Sequence, residues 1–175
     1  MILGEAICLG PILPIDVEAL FRWSDDVATA RLNAPYRPPS WQREEAFWLD
    51  AADDRTRVFF AIRTLTAPEI VGFVQIRDVD PIHRSCTIGI RIGDVRNRGR
   101  GFGREALALA VGYCWDQLNL SRIALQVFAN NAAAIRLYRA CGFEPEGVLR
   151  KAQFVAGEWI DVQLMALMRP SRVGA

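Results

Sequence analysis

The chain is 175 residues long, 51% hydrophobic and 23% charged, which excludes a disordered chain and gives one domain, residues 1–175, with enough material for a core. Lys and Arg number 21 against 20 Asp and Glu, a formal net charge of +1, so no global field draws the protein to nucleic acid or an anionic membrane, and any anion site has to be local. Cys8, Cys86, Cys114 and Cys141 form no C-x-x-C pair and His83 is the one histidine, too few ligands for a zinc site, so reduced buried thiols and no metal are expected.

The N-terminal stretch "MILGEAICLGPILPIDVEAL" has no basic start, is interrupted by Asp16 and Glu18, and holds no apolar run long enough to span a membrane, which predicts a cytoplasmic protein. Glu5 to Ile12 are predicted as a first strand. "PIDVEALFRWSDDVATARL" follows with an acid-rich start and the i, i+3, i+4 apolar spacing of one amphipathic helix. The prolines of "NAPYRPPS" break regular structure, and Ser40 is placed to cap a second helix, "WQREEAFWLDAA". Then "RVFFAIRT", "IVGFVQIRD" and "SCTIGIRI", with turn chemistry between them, read as three consecutive antiparallel strands. A long helix from Gly101 to Leu118, the strand "RIALQVF", a short helix from about Asn131 to Cys141 closed by Gly142, and a hairpin turning at Ala156 and Gly157 complete the chain. The order β-α-α-β-β-β-α-β-α-β-β describes an α/β domain with a mixed central sheet and helices on both faces.

Chemistry concentrates in "RNRGRGFGREALALAVGYCW", Arg96 to Trp115. Gly99, Gly101 and Gly103 let the backbone turn sharply and expose its N–H groups. The first turn of the helix adds unpaired donors and the positive end of its dipole, a junction suited to phosphate, and Arg98, Arg100 and Arg104 add charge. The loop is not a Walker A motif, since no Gly-Lys-Ser/Thr closes it, and its G-x-G-x-G spacing departs from the dinucleotide fingerprint. Taken alone it could equally be a tight turn between solvated arginines. A tract for RNA is disfavoured because it is short and runs into a helix.

"RNRGRGFGREAL" contains R-x-x-G-x-G as Arg98 to Gly103, and "NNAAAIRLYRACGF", Asn130 to Phe143, follows the intervening strand. With "PIHRSCTIGIRIGD" before and "EGVLRKAQFVAGEWIDVQLMAL" after, the chain resembles the GNAT superfamily of acyl-CoA-dependent N-acyltransferases, in its branch of ribosomal-protein and spermidine acetyltransferase-like enzymes. The resemblance implies a mostly antiparallel sheet with a splayed strand pair. It implies that acetyl-CoA is the cosubstrate, its pyrophosphate held by Arg98, Gly99, Arg100, Gly101, Phe102, Gly103 and Arg104. Ile90, Arg91 and Ile92 would pair through their backbone with the pantetheine arm, as an added strand would. An N–H of Ile90 or Ile92 would polarise the acetyl carbonyl. Asn131 matches a pantetheine-contacting asparagine and is equally placed to cap its helix. Tyr138 matches the tyrosine that acts as general acid toward the leaving thiolate. The reaction implied is direct attack of a neutral amine in a ternary complex, on a peptide N-terminus or a small molecule. The alternative is a non-catalytic acyl-CoA-binding module. A homodimer is common among such relatives.

The branch often carries Glu on the strand before the loop, in a run like "AEIGI"; here the run is "CTIGI", with Thr87 at that position. Thr87 can hold a water but is no base near neutral pH. Asp94, Glu44 and Glu45 are the other candidates, each of which could also be a solvated carboxylate. Tyr36, Trp41, Phe47 and Trp48 could wall an acceptor cleft or pack the second helix on the sheet. His83 reads as a solvated turn residue.

Overall fold

The protein is described by a computed structural model over residues 1–50 and 54–171. Two short strands, β1 (Ile2–Leu3) and β2 (Ile7–Gly10), open the chain. The predicted first strand is shorter than Glu5 to Ile12 because its ends are used elsewhere. The N–H groups of Glu5 and Ala6 donate to the Glu105 carboxylate, at 3.0 Å from Ala6, and Pro11 has no N–H to give the sheet.

The single helix predicted after it is broken. A 3-10 turn at Pro14–Asp16 leads into α1 (Val17–Ser24), and a separate turn, α2 (Val27–Ala30), follows. Asp26 makes the break: its backbone is extended at φ −94°, ψ 106°, and its side chain accepts from the Ala28 N–H at 3.0 Å. An Asp that can cap a new helix competes with continuation of the old one. α3 (Trp41–Leu49) starts after Ser40 as expected, although the Ser40 hydroxyl makes no capping bond. Ala51 and Ala52, predicted as the end of this helix, lie outside the described residues.

β3 (Val58–Thr64), β4 (Ile70–Asp80) and β5 (Ser85–Ile92) form the antiparallel meander. α4 (Phe102–Asp116), β6 (Arg122–Phe128), α5 (Ala132–Ala140) and the hairpin β7 (Glu144–Val155) with β8 (Glu158–Met168) follow. The hairpin turns at Ala156 and Gly157, both at positive φ, as a two-residue loop between twisted strands requires. The eight strands make one sheet in the order β1-β2-β3-β4-β5-β6-β8-β7. β5 and β6 are the parallel pair in it.

Strand alternation gives each face its own core. Phe60, Val74, Ile76 and Ile88 turn toward α4 and α5, whose Leu107, Ala110, Cys114 and Tyr138 complete the larger core. Phe59 and Phe73 turn the other way and receive Leu20 of α1 and Trp48 of α3. Trp48 is the centre of that second layer, with ring centroids 5.2 Å from Phe59 and 4.7 Å from Phe73. Cys8, Cys86 and Cys114 are buried, Cys141 is half-buried, and all four are free thiols. Among the described residues no helix is long and apolar enough to cross a membrane.

Candidate active site

The ladder between β5 and β6 pairs Ser85, Cys86 and Thr87 with Arg122, Ile123 and Ala124 and then stops. Beyond it the two strands part, which is the splay the sequence resemblance implies. In an antiparallel pair the backbone groups of successive residues point alternately toward and away from the neighbour. The Gly93 N–H donates to the Val71 carbonyl at 3.0 Å, so in register Arg91, Gly89 and Thr87 also turn their backbone to β4. Ile88, Ile90 and Ile92 therefore turn theirs into the gap. The Ile88 N–H closes the ladder on the Ala124 carbonyl, and the Ile92 carbonyl is taken by Arg98 Nε at 3.2 Å, which leaves the Ile88 carbonyl and both groups of Ile90 open. Of the predicted edge residues, Ile90 turns its backbone into the gap. Arg91 does not: its backbone is committed to β4, and its side chain emerges on the opposite face of the sheet from the isoleucines.

The glycine loop begins directly past β5. Gly99 and Gly101 adopt φ of +73° and +87°, in the left-handed region that glycine tolerates without strain. A Cβ built on either would meet nothing within 4 Å, so the space in front of the loop is open. Gly101 is the N-cap of α4, and Arg104 and Glu105 are the first amides to bond back, both to the Gly101 carbonyl. Among the described residues no group accepts from the N–H groups of Gly99, Arg100, Gly101, Phe102 or Gly103. Consecutive free amides at a helix N-terminus form an anion-binding concavity. Phe102 anchors this end of the helix in the core, and Arg100 lies over its ring at 4.9 Å. Arg104 is exposed on the first turn.

Arg98 departs from the role expected of it. Besides Ile92, its guanidinium reaches the Gly93 carbonyl at 3.1 Å and Thr29 Oγ1 at 3.3 Å. It braces the loop against the end of β5 and against α2, and three of its five donors are spent on the protein. The Asn131 side chain accepts from the Ala134 N–H at 3.1 Å, an N-cap, while its amide donates to the Leu32 carbonyl at 3.4 Å.

A cleft of about 460 Å³ opens on the splay, lined among others by Thr87, Ile88, Gly89, Ile90, Arg91 and Tyr138. It does not include the glycine loop, and the open edge of β5 joins the two. Tyr138 is 6% exposed, and burial, with a smaller contribution from Cys141, pushes its phenol up to about 12. Among the described residues its hydroxyl has no hydrogen-bond partner, so the group left to receive it is whatever occupies the cleft.

The base candidates separate. Asp94 caps the 3-10 turn at Val95–Asn97 and is clasped by Arg96, whose hydrogen bonds hold its carboxyl at about 2; it is no base. Glu45 is exposed, and Glu44 lines the cleft. Glu44 Oε2 accepts from Trp48 Nε1 at 3.0 Å and from Ser24 Oγ at 3.2 Å, which fixes the carboxylate and leaves Oε1 free. The signal for choosing Glu44 was in the sequence, because four residues separate it from the large apolar Trp48 on the inner face of α3. Phe47 and Trp48 line the cleft as well, with Trp48 also a core residue. Trp41 instead packs on Phe21 at 5.4 Å, and Tyr36 donates to Asp25 at 2.7 Å. Ser24, Asn33 and Gln126, not singled out from sequence, also line it. His83 is exposed in its turn.

The sequence and the fold of the chain are matched by known proteins. Residues 7–144 match the acetyltransferase (GNAT) domain family. The crystal structure of spermidine N-acetyltransferase from Vibrio cholerae in complex with CoA and spermine superposes with a TM-score of 0.87 at 25% identity, over 94% of this chain and 96% of that one. In sequence, spermidine N(1)-acetyltransferase of Vibrio cholerae is 35% identical over 100 residues, and this chain thereby spans 57% of its length. The L-amino acid N-acetyltransferase AaaT of Escherichia coli is 36% identical over 124 residues, 70% of this chain and 75% of that protein. Fold and matches define the class, an acetyl-CoA-dependent N-acetyltransferase. The chain belongs to the GNAT acetyltransferase family.

Proposed function

We propose that the protein moves the acetyl group of acetyl-CoA to a primary amine by direct attack within a ternary complex. The observation that carries this reading is the unpaired backbone of Ile90, with the Ile88 carbonyl beside it, facing a gap that Tyr138 also lines. The residues present fit coenzyme A. Gly99 to Gly103 offer free amides to its diphosphate, Arg100 and Arg104 offer charge, and the open edge of β5 offers a strand's worth of hydrogen bonds to its pantetheine arm. Asn131 supports the site by capping α5 and so fixing the helix that carries Tyr138.

Chemically, the Ile90 N–H holds the carbonyl oxygen where negative charge develops. As the N–C bond forms and the C–S bond breaks, Glu44, directly or through a water on Thr87, takes the amine proton, and Tyr138 donates its own to the departing sulfur. For an amine of pKa about 10.4, reaching the neutral form at pH 7 costs about 4–5 kcal/mol, so a fixed carboxylate near the amine is useful. Relatives are named for spermidine and for L-amino acids, and a primary amine is what these acceptors share. The cytoplasm, where thiols stay reduced, suits the four free cysteines.

The reading is tested by release of free coenzyme A thiol from acetyl-CoA across polyamines, amino acids and short peptides, beside calorimetric binding of coenzyme A. Turnover of one amine class, with a rate that rises with pH and a lower neutral-pH rate in Glu44→Gln, is the expected result. Tight binding of coenzyme A without turnover of any amine would leave a binding module instead.

A further inference from the structure

The charges lining the cleft balance. Glu44 and Asp78 carry the negative sign, Arg77 and Arg91 the positive. Arg77 is exposed to solvent, whereas Arg91 carries its charge half-buried. Its guanidinium is half-buried, lies 5.6 Å from the centre of the Phe73 ring, and gives Nη1 to the Trp23 carbonyl at 3.3 Å. Among the described residues no carboxylate stands at ion-pair distance from it. A guanidinium has five donors, and here one carbonyl and one ring answer them. Burial pushes its pKa down, an effect that the charge of Glu44 partly offsets. The remaining donors are not sealed in the protein, because no buried side-chain nitrogen or oxygen among the described residues lacks a partner, and Arg91 lines the cleft.

The strand beside it provides the room. Thr87, Gly89 and Arg91 share the cleft-facing side of β5, and a Cβ at Gly89 would meet nothing within 4 Å. Thr87 and Arg91 each stand about 7 Å along the strand from Gly89, and the floor between them is bare at that glycine. A molecule lying there is bordered by the open edge of β5 and Tyr138, by Arg91, and by Glu44 on the α3 wall.

We infer that Arg91 receives a carboxylate of the acceptor, and that the acceptor is a small amine bearing a carboxylate, of which an α-amino acid is the simplest form. This rests on the acetyl-transfer reading above and narrows it. Glu44 faces the ammonium end and Arg91 the carboxylate end, so a balanced cleft matches a zwitterion in sign at both ends. A polyamine carrying several positive charges gains no net field from such a lining and meets Arg91 as a like charge. Phe47 and Trp48 offer an apolar side chain a wall to rest on.

The test uses the full chain and matched acceptors: L-amino acids, the corresponding amino acid amides, the decarboxylated amines, and spermidine, each followed by thiol release from acetyl-CoA. Amidation also lowers the pKa of the amine, so the amide control is biased against the proposal. The expected result is a kcat/KM for the acids about 10- to 100-fold above the amides, the worth of one charge-assisted contact. Arg91→Gln should shrink that ratio toward one, mainly through KM, and Arg91→Lys should restore part of it. The wild-type ratio decides the matter even if a variant folds poorly. Amides, decarboxylated amines or spermidine acetylated as well as the acids would overturn the proposal and leave acetyl transfer standing. No turnover in any series would overturn both.

Discussion

Replacing Tyr138 by Phe removes one oxygen from a ring that is 6% exposed and packs against Phe143 at a centroid distance of 5.8 Å. The hydroxyl has no partner among the described residues, so its loss strands no polar group and should change stability by less than about 1 kcal/mol. The kinetic effect should be far larger. General acid catalysis is worth about 10²–10⁴ in rate, about 3–5 kcal/mol of barrier. Burial raises the phenol to about 12, farther from the usual thiol value of about 8.5 than an ordinary tyrosine. Taken alone, that gap would make full proton transfer uphill by about 5 kcal/mol. The thiolate, however, leaves into the same dry gap, where desolvation raises its own pKa in the same sense. The difference narrows, and a hydrogen bond from a phenol with no competing partner strengthens as charge grows on sulfur. The assay is thiol release at saturating acetyl-CoA, beside the Kd for coenzyme A and the melting temperature. Tyr138→Phe should lower kcat by about 100-fold or more with Kd and Tm unchanged. A kcat within about threefold of wild type would refute the proton-donor assignment. A fall matched by lost coenzyme binding would refute it too, because the residue would then be part of the binding surface.

Gly101→Ala meets no clash but forces φ of +87° on a residue with a Cβ, costing about 1–2 kcal/mol in urea unfolding and weakening coenzyme A binding as the amide array tilts. Arg98→Ala unfastens the loop from Ile92, Gly93 and Thr29. It should lower stability by about 1–2 kcal/mol and raise the Kd for coenzyme A, whereas a residue used only for phosphate contact would leave stability alone. Tyr138 also predicts an alkaline effect. The folded chain holds its phenol proton to about 12 and the unfolded chain releases it near 10, so its contribution is complete below about pH 10 and is lost as pH rises toward 12. Urea unfolding at pH 9 and at pH 11.5 should show wild type losing about 2 kcal/mol relative to Tyr138→Phe.

The elements that hold the site were legible because their signals are local. Period-two runs gave the meander, the glycines at 99 and 101 marked the turn where positive φ is needed, and Asn131 capped the helix it precedes. Misreadings came where a side chain serves something distant in sequence. Arg98 sits in a phosphate-loop pattern, and nothing local says that Thr29, far upstream, will accept from it. The first helix carried an unbroken apolar spacing, and its break at Asp26 came from a capping bond that periodicity does not register. Glu44 and Glu45 are adjacent, and only helix phase relative to Trp48 separates a cleft carboxylate from a solvated one. The side chain of Arg91 went unread because the strand that carries it was considered only for its backbone.

The alternation along β5 divides one strand between two ligands. Its edge, made of main-chain groups at Ile88 and Ile90, has a chemistry that amino-acid replacement scarcely alters. Its cleft-facing side, Thr87, Gly89 and Arg91, consists of side chains that any point mutation can rewrite. Acceptor preference can therefore drift through codon changes at these sites while the hold on acetyl-CoA is inherited intact. A lineage built on this strand can exchange one amine for another without an intervening ancestor that has lost its acetyl donor.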